Sequence, residues 1–299
     1  MSSECLVNVN VATLWTTPES PREMDRAMLS SPARPMDWLN GMTVEDRREL
    51  SGRNLVQSQV LYGQTVKLLE EQGDWVKVAV PDQPSSKDSR GYPAWMPLEQ
   101  LSAKPSNRKE KIFASVTVSA AILYNEQKFP FMLVSYATRL PYLRSEGRWV
   151  QVDTPHGSLW LQKTDVKIVN DQPMPTTGED FIAEACSFVG LPYLWGGMSG
   201  FGFDCSGFCY TILRVHGYTI PRDASDQARE GKKIALTAAA PGDLLYFADQ
   251  EGEGSVHHVG FYAGESKMLH APHTGKAIES IALEGTIYER ELCAVRRFH

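Results

Sequence analysis

At 299 residues the chain is long enough for two or three domains, and with 42% hydrophobic and 22% charged residues it has a globular composition, not that of a disordered or fibrous chain. Its 30 Lys and Arg stand against 36 Asp and Glu, a formal net charge of −6, and no long basic run is present, which argues against a nucleic-acid partner. No stretch approaches the ~20 apolar residues of a membrane span. Met1–Asn10 lacks the positive region and apolar run of a signal peptide. The 5 cysteines, Cys5, Cys186, Cys205, Cys209 and Cys293, are too sparse for a disulfide framework. A soluble, cytoplasmic protein without a membrane partner is expected.

Residues 1–104 read as mostly β. Leu6–Val11 and Val66–Leu69 run apolar or alternate, and Trp75–Val80 alternates. Between the first strand and Leu55 lies an insertion holding Pro18, Pro21, Pro32 and Pro35, then a helix-like segment, Thr43–Leu50. There Thr43 with Asp46 forms a helix N-cap signal. The insertion reads equally as a functional elaboration or as packing of an extended N-terminus. An internal echo follows. Tyr62 precedes Gly73-Asp74-Trp75-Val76-Lys77-Val78 by the interval that separates Tyr136 from Gly147-Arg148-Trp149-Val150-Gln151-Val152. Each is followed by a second Trp segment, Ala94-Trp95-Met96 and Leu159-Trp160-Leu161. The echo predicts two small β-barrels in tandem, over 1–104 and 105–170, with Trp75, Trp95, Trp149 and Trp160 in core positions more than in a groove.

Residues 171–178 have the Pro, Thr and Gly of a linker. Glu179–Val189 then has one apolar face, and Gly190 is placed to end that helix. Leu191–Tyr210 is rich in Gly and aromatics up to Asp204-Cys205-Ser206-Gly207, after which Phe208, Tyr210, Ile212, Leu213 and Val215 predict a buried helix. Leu244–Phe247, Val256–Tyr262, Lys267–His270 and Leu292–Phe298 read as strands. Helices followed by strands predict an α+β domain over 179–299.

Cys205 falls where a Gly-rich loop becomes a helix. Unpaired N–H groups and a partial positive charge at that end favour the nucleophilic thiolate. An ordinary thiol of pKa ~8.5 is a few per cent ionised at neutral pH, and lowering it by about two units, roughly 2.7 kcal/mol, makes the thiolate dominant. Alternation places His258 on one strand face with Val256, Gly260 and Tyr262, and Gly260 leaves room there for another element. A turn at Gly264-Glu265-Ser266 folds the next strand back, so that His270 can lie near His258. A cysteine, a histidine and a second polar group are the parts of nucleophilic acyl transfer, with backbone N–H groups near Cys205 facing the oxyanion. The competing readings are structural. A lone helix-opening cysteine or strand histidine usually only packs, and Cys209 reads as core. The spacings of Cys205 and Cys209 with His257, His258, His270 and His273 match no familiar zinc signature, so no metal or other cofactor is expected.

The two Trp-bearing repeats resemble bacterial SH3 domains, the SH3b modules, over roughly 50–104 and 112–169. Leu191-Pro-Tyr-x-Trp-Gly-Gly, Phe203-Asp-Cys-Ser-Gly-Phe, Pro221-Arg-Asp, Pro241-Gly-Asp-Leu-x-Tyr-Phe, His258-Val-Gly-Phe-Tyr and His270-Ala-Pro stand in the order found in the NlpC/P60 cysteine peptidases of the bacterial cell wall. The resemblance implies two SH3-like barrels followed by an α+β, papain-like domain. It makes Cys205 the nucleophile, His258 the base and His270 the orienting third member. The whole layout resembles the YkfC-type γ-D-glutamyl-L-diamino acid endopeptidases. These act on murein peptides with free N-terminal L-Ala, in a pocket roofed by the first SH3b domain. Tyr92, Tyr193, Trp195, Asp204, Ser206 and Asp223 match substrate-contacting positions, and a carboxylate at Asp223 suits a desolvated ammonium. Gln57, Gln59 and Gln64 stand where an acidic residue is expected, and Ala224 where Ser or Thr is usual, which weakens or retunes recognition of the amine end. Two other readings remain: a peptidoglycan-peptide binding protein with an idle catalytic domain, and an acyltransferase or amidase on the same scaffold.

Overall fold

The computed structural model describes residues 4–104, 111–170 and 176–299. The expected boundary after residue 104 and most of the expected linker, 171–175, lie outside the described residues. The chain forms two compact units. One comprises the stretches up to Asp82, from Arg90 to residue 170, and Ser199–Phe201; the other comprises Gln83–Ser89, residue 176 to Met198, and Gly202–His299.

The first unit holds two seven-stranded sheets. The first has strands Glu4–Val7, Val11–Trp15, Val56–Leu61, Thr65–Gln72, Trp75–Val80, Tyr92–Pro97 and Leu101–Ala103. The second has Ile112–Val116, Ala120–Tyr124, Pro130–Ser135, Arg139–Glu146, Trp149–Thr154, Gly157–Gln162 and Val166–Asn170. Counted along the chain, both sheets run in the order third, second, sixth, fifth, fourth, first, seventh. The sequence echo is thus a repeat of topology. Val76, Val78 and Val80 turn inward in one copy, Val150 and Val152 in the other. Trp95 and Trp160 are buried, while Trp75 and Trp149 are half-buried. The expected strand Leu6–Val11 is in fact the end of one strand and the start of the next. The chain bends between them, and Asn10 Oδ1 accepts the N–H of Val11 at 3.0 Å.

The insertion packs. It carries helices Arg26–Leu29, Pro35–Gly41 and Val44–Gly52, the last capped reciprocally by Thr43 and Asp46 as the sequence predicts. Buried Asp25 holds it together by accepting Arg22 Nε at 2.9 Å and Trp38 Nε1 at 2.7 Å. Tyr62 sits in the apolar core of the second barrel, and its hydroxyl lies 2.8 Å from His156 Nδ1.

In the second unit a six-stranded antiparallel sheet carries short helices. The helix Gly178–Cys186 starts at a reciprocal cap between Thr177 and Asp180, so the last residues of the expected linker already belong to it. It ends at Cys186, earlier than the apolar pattern suggests, and turns lead to Gly190. Strands Leu244–Ala248, Val256–Gly264, Lys267–His270 and Glu279–Ala282 lie side by side in that order, with Leu292–Arg297 on the far side of Leu244–Ala248. The helix Cys205–Val215 packs on this sheet through aromatic rings. Phe208, one turn past Cys205, meets Phe261, three residues past His258, edge-on at 5.9 Å. Phe188 and Phe203 extend the cluster. That contact fixes the helix start against the histidine strand.

The hairpin pairs Phe261 with Leu269 and Tyr262 with Met268. A Cβ at Gly260 would lie 2.7 Å from Met268 Cγ and 2.9 Å from His270 Cβ, so the room predicted at Gly260 is filled by the returning strand. Gly260→Ala is therefore an overpacking change. We expect a loss of about 1–3 kcal/mol, read as a lower urea midpoint at unchanged slope. An unchanged midpoint would contradict this packing.

Candidate active site

Asp204 caps the Cys205 helix from an extended conformation, φ −88° and ψ 179°. Its carboxylate accepts the N–H of Gly207 at 2.7 Å, and its carbonyl accepts that of Phe208 at 2.9 Å. Both guanidinium ends of Arg222 reach the same carboxylate, Nη1 at 3.2 Å and Nη2 at 2.5 Å. Nη1 also donates to Ser206 Oγ at 2.8 Å, and that hydroxyl donates to Asp204 Oδ1 at 3.2 Å. Every member is buried. A buried charge pair is tolerable only when so fully hydrogen-bonded. A side chain at Gly207 would meet the Gly197 carbonyl at 2.2 Å, so glycine lets the preceding loop lie on the first turn.

This cap leaves the N–H of Ser206 directed at the thiol, and the N–H of Val259, next to His258, approaches from the strand. They do not make a stable thiolate. Burial, reinforced by the Asp204 carboxylate, pushes the Cys205 thiol up to about 12 against the pull of Arg222 and those two N–H groups. The expected depression of the thiol is reversed, because the sequence shows the helix terminus but not the desolvation around it.

His258 is buried on its strand, and its Nε2 lies 2.7 Å from Nδ1 of His270. Nδ1 of His258 is the ring nitrogen outside that bond. Burial first, then the neighbouring His270, His257 and His273, holds His258 well below the ordinary imidazole range. Burial and His273 pull His270 down to about 4. At neutral pH both rings are uncharged.

Tyr288, on the short helix Ile287–Glu291, was not legible in the sequence. Its ring lies 5.1 Å from that of His258, 5.2 Å from that of His270 and 5.0 Å from that of Phe247. Burial, with the charges of Cys205, Glu279 and Glu291, raises its phenol to about 12. Glu291 of the same helix lies 3.2 Å from Nε2 of His257, which ties the helix to the histidine strand. A turn at Glu284-Gly285 and Thr286 at the N-cap lie just ahead of the helix.

The expected substrate-contacting residues divide. Tyr193 is buried close to the thiol. Burial raises its phenol well above the usual value, Cys205 and Asp204 add to this, and its N–H donates to Lys276 O at 3.0 Å. Trp195 is half-buried in the same loop. Asp204 and Ser206 spend their polar side-chain atoms on one another, Gly207 and Arg222, a structural part that the sequence did not show. Asp223 pairs with Lys87 Nζ at 2.9 Å. Lys87 lies in the Gln83–Ser89 stretch, where Pro84 O also accepts the N–H of Arg222 and the N–H of Ser86 donates to Asp226. Ala224 opens a short helix, Ala224–Gln227. In the first unit Tyr92 is buried, with its hydroxyl 3.4 Å from Gln57 Oε1. The three glutamines differ in their partners. Gln57 also donates to Thr16 and Asn54, Gln59 accepts from Ser199 Oγ, and Gln64 accepts the N–H of Leu61 within its turn.

A thiol at a helix start, packed on an antiparallel sheet that presents two hydrogen-bonded imidazoles, is the arrangement of a papain-like cysteine peptidase. Residues 190–297 match the NlpC/P60 family and residues 116–168 the YkfC SH3b2 domain. A gamma-D-glutamyl-L-lysine dipeptidyl-peptidase of Bacillus subtilis (strain 168) is 48% identical over 96% of both chains. A protein of the same name from Bacillus cereus (strain ATCC 10987 / NRS 248) is 40% identical over 99% of this chain and 91% of its own. The crystal structure of an NlpC/P60 family protein from Bacillus cereus ATCC 10987 superposes with a TM-score of 0.95 at 38% identity, covering 99% of each chain. The chain belongs to the NlpC/P60 family of cysteine peptidases.

With the thiol high and both imidazoles low, Cys205 is protonated at neutral pH, and its thiolate fraction grows up to tenfold per pH unit. We expect alkylation of Cys205 by iodoacetamide, followed by mass spectrometry of its peptide, to keep rising from pH 6 to pH 9. A plateau already reached at pH 6 would mean a preformed thiolate–imidazolium pair and contradict this electrostatic account.

Proposed function

We propose that this protein hydrolyses the bond between γ-D-Glu and the L-diamino acid of small murein peptides that carry a free N-terminal L-Ala, and so serves peptidoglycan turnover. The observation that carries the reading is similarity along the whole chain. The relatives named for this activity share both barrels as well as the thiol domain, over 96% of each chain in the B. subtilis case.

In this reading Cys205 Sγ attacks the γ-carbonyl carbon as its proton passes to His258 Nδ1. The acid–base pair need not be charged beforehand; it becomes so as negative charge develops on the carbonyl oxygen. The imidazolium then protonates the departing α-amine as the C–N bond breaks, leaving L-Ala-γ-D-Glu as a thioester on Cys205. A water deprotonated by His258 cleaves the thioester. His270 is bonded to Nε2 of His258, which supports Nδ1 as the nitrogen that takes the proton. Asp223, whose carboxylate already holds the ammonium of Lys87 at 2.9 Å, is the proposed partner of the substrate's free amine.

The test is incubation with L-Ala-γ-D-Glu-L-Lys, its diaminopimelate counterpart and the N-acetylated form of each. The wild type should release L-Ala-γ-D-Glu from the free-amine peptides. Acetylation should lower kcat/KM at least about tenfold, the equivalent of ~1.4 kcal/mol. Cys205→Ala should lose more than about a thousandfold in kcat. Undiminished cleavage by that variant would overturn the assignment.

A further inference from the structure

The hydrogen bond between the two imidazoles fixes more than their distance. If His258 is to accept the thiol proton on Nδ1, its own proton sits on Nε2. That N–H then donates to His270 Nδ1, 2.7 Å away, so Nδ1 of His270 is unprotonated. A neutral His270 therefore carries its proton on Nε2. That atom is buried and has no hydrogen-bond partner among the described residues. An unpaired buried N–H is an expensive feature to keep.

The carboxylate of Glu279 lies just beyond hydrogen-bond distance, with Oε1 3.9 Å from His270 Nε2. Glu279 is paired directly with His270 across neighbouring strands. Its side chain is 45% exposed, so the charge stays hydrated and the arm is free to swing. At 3.9 Å the contact is open, and a small side-chain rotation or one bridging water closes it. Active-site hydrogen bonds commonly tighten only in the substrate complex. The other groups facing His270 do not accept this proton. His258 occupies Nδ1, no atom of His273 lies within hydrogen-bond distance of Nε2, and Tyr288 presents its ring.

We propose that Glu279 is a positioning residue for the catalytic imidazoles. It accepts the His270 Nε2 proton, locks both rings in the tautomer that points His258 Nδ1 at the thiol, and offsets the positive charge that develops on the pair during acylation. No bond is made or broken at Glu279. The inference rests on the reading of Cys205 and His258 as the reacting pair.

The test compares Glu279→Ala and Glu279→Gln with the wild type. Nitrogen-15 NMR of the histidine rings needs no substrate. It should show both His258 and His270 protonated on Nε2 in the wild type, with that tautomer weakened in Glu279→Ala. With L-Ala-γ-D-Glu-L-Lys, Glu279→Ala should lose about tenfold or more in kcat at little change in KM. Glu279→Gln, whose amide oxygen still accepts the N–H, should recover part of that loss. Both lack the carboxylate charge that favours imidazolium, so the acid limb of kcat/KM should move to lower pH in both. His270 protonated on Nδ1 in the wild type, or a Glu279→Ala enzyme with wild-type kcat and pH profile, would overturn the proposal. If the wild type leaves the peptides uncleaved, the substrate reading fails, while the NMR result still decides the role of Glu279.

Discussion

Asp204 stands at the end of a buried helix with its carboxylate divided among the N–H of Gly207, the hydroxyl of Ser206 and the guanidinium of Arg222. Each partner is fixed in turn: Gly207 and Ser206 by the helix they open, Arg222 by its N–H on Pro84 O. The next residue, Cys205, therefore has one backbone position available. Removing one member of a buried charge pair of this kind costs about 3–5 kcal/mol, because the other is left desolvated and alone. That is a large share of the ~5–15 kcal/mol by which a domain is stable. The cap is thus both a folding requirement and the device that sets the Cys205 thiol, the proposed nucleophile, and Phe208 against Phe261 carries that setting across to the histidine strand.

The same enclosure decides the resting charge state. Helix terminus and backbone N–H groups favour a thiolate, yet desolvation is larger, and the Asp204 carboxylate beside the sulfur adds to it. The imidazoles move the opposite way for the same reason, since burial disfavours the charged form of each. A neutral pair stores no charge in the resting enzyme. In the proposed reaction it separates charge only when a carbonyl stands ready to take the negative end. Tyr288 packs against His258 and Phe247, ring to ring, and helps keep the imidazoles out of water.

Much of this was legible in the chain because it depends on local pattern. Alternation around the Trp75 and Trp149 strands exposed a repeat that proved to share one strand order. Asp204-Cys205-Ser206-Gly207 marked a helix start, and Gly260 with the Gly264-Glu265-Ser266 turn placed His258 and His270 on one hairpin. What escaped depends on side chains distant in sequence. Arg222 as the partner of Asp204, Lys87 as that of Asp223, Tyr288 over the imidazoles and Glu279 behind His270 have no periodicity to betray them. The direction of the thiol shift is not legible in the sequence, because a helix end can be read from residues, whereas the desolvation around it belongs to the folded core. The apolar pattern of Glu179–Val189 outruns its helix because its apolar residues continue past Cys186 into turns that are themselves partly buried.

The proposed reaction passes through a covalent intermediate at one sulfur, and acid-quenched mass spectrometry during turnover reads it directly. Mixed with excess L-Ala-γ-D-Glu-L-Lys and quenched within the first turnovers, the enzyme should carry an L-Ala-γ-D-Glu acyl group on the peptide containing Cys205 and on no other cysteine. Product release with no adduct in the wild type, or an adduct on Cys209 instead, would contradict it.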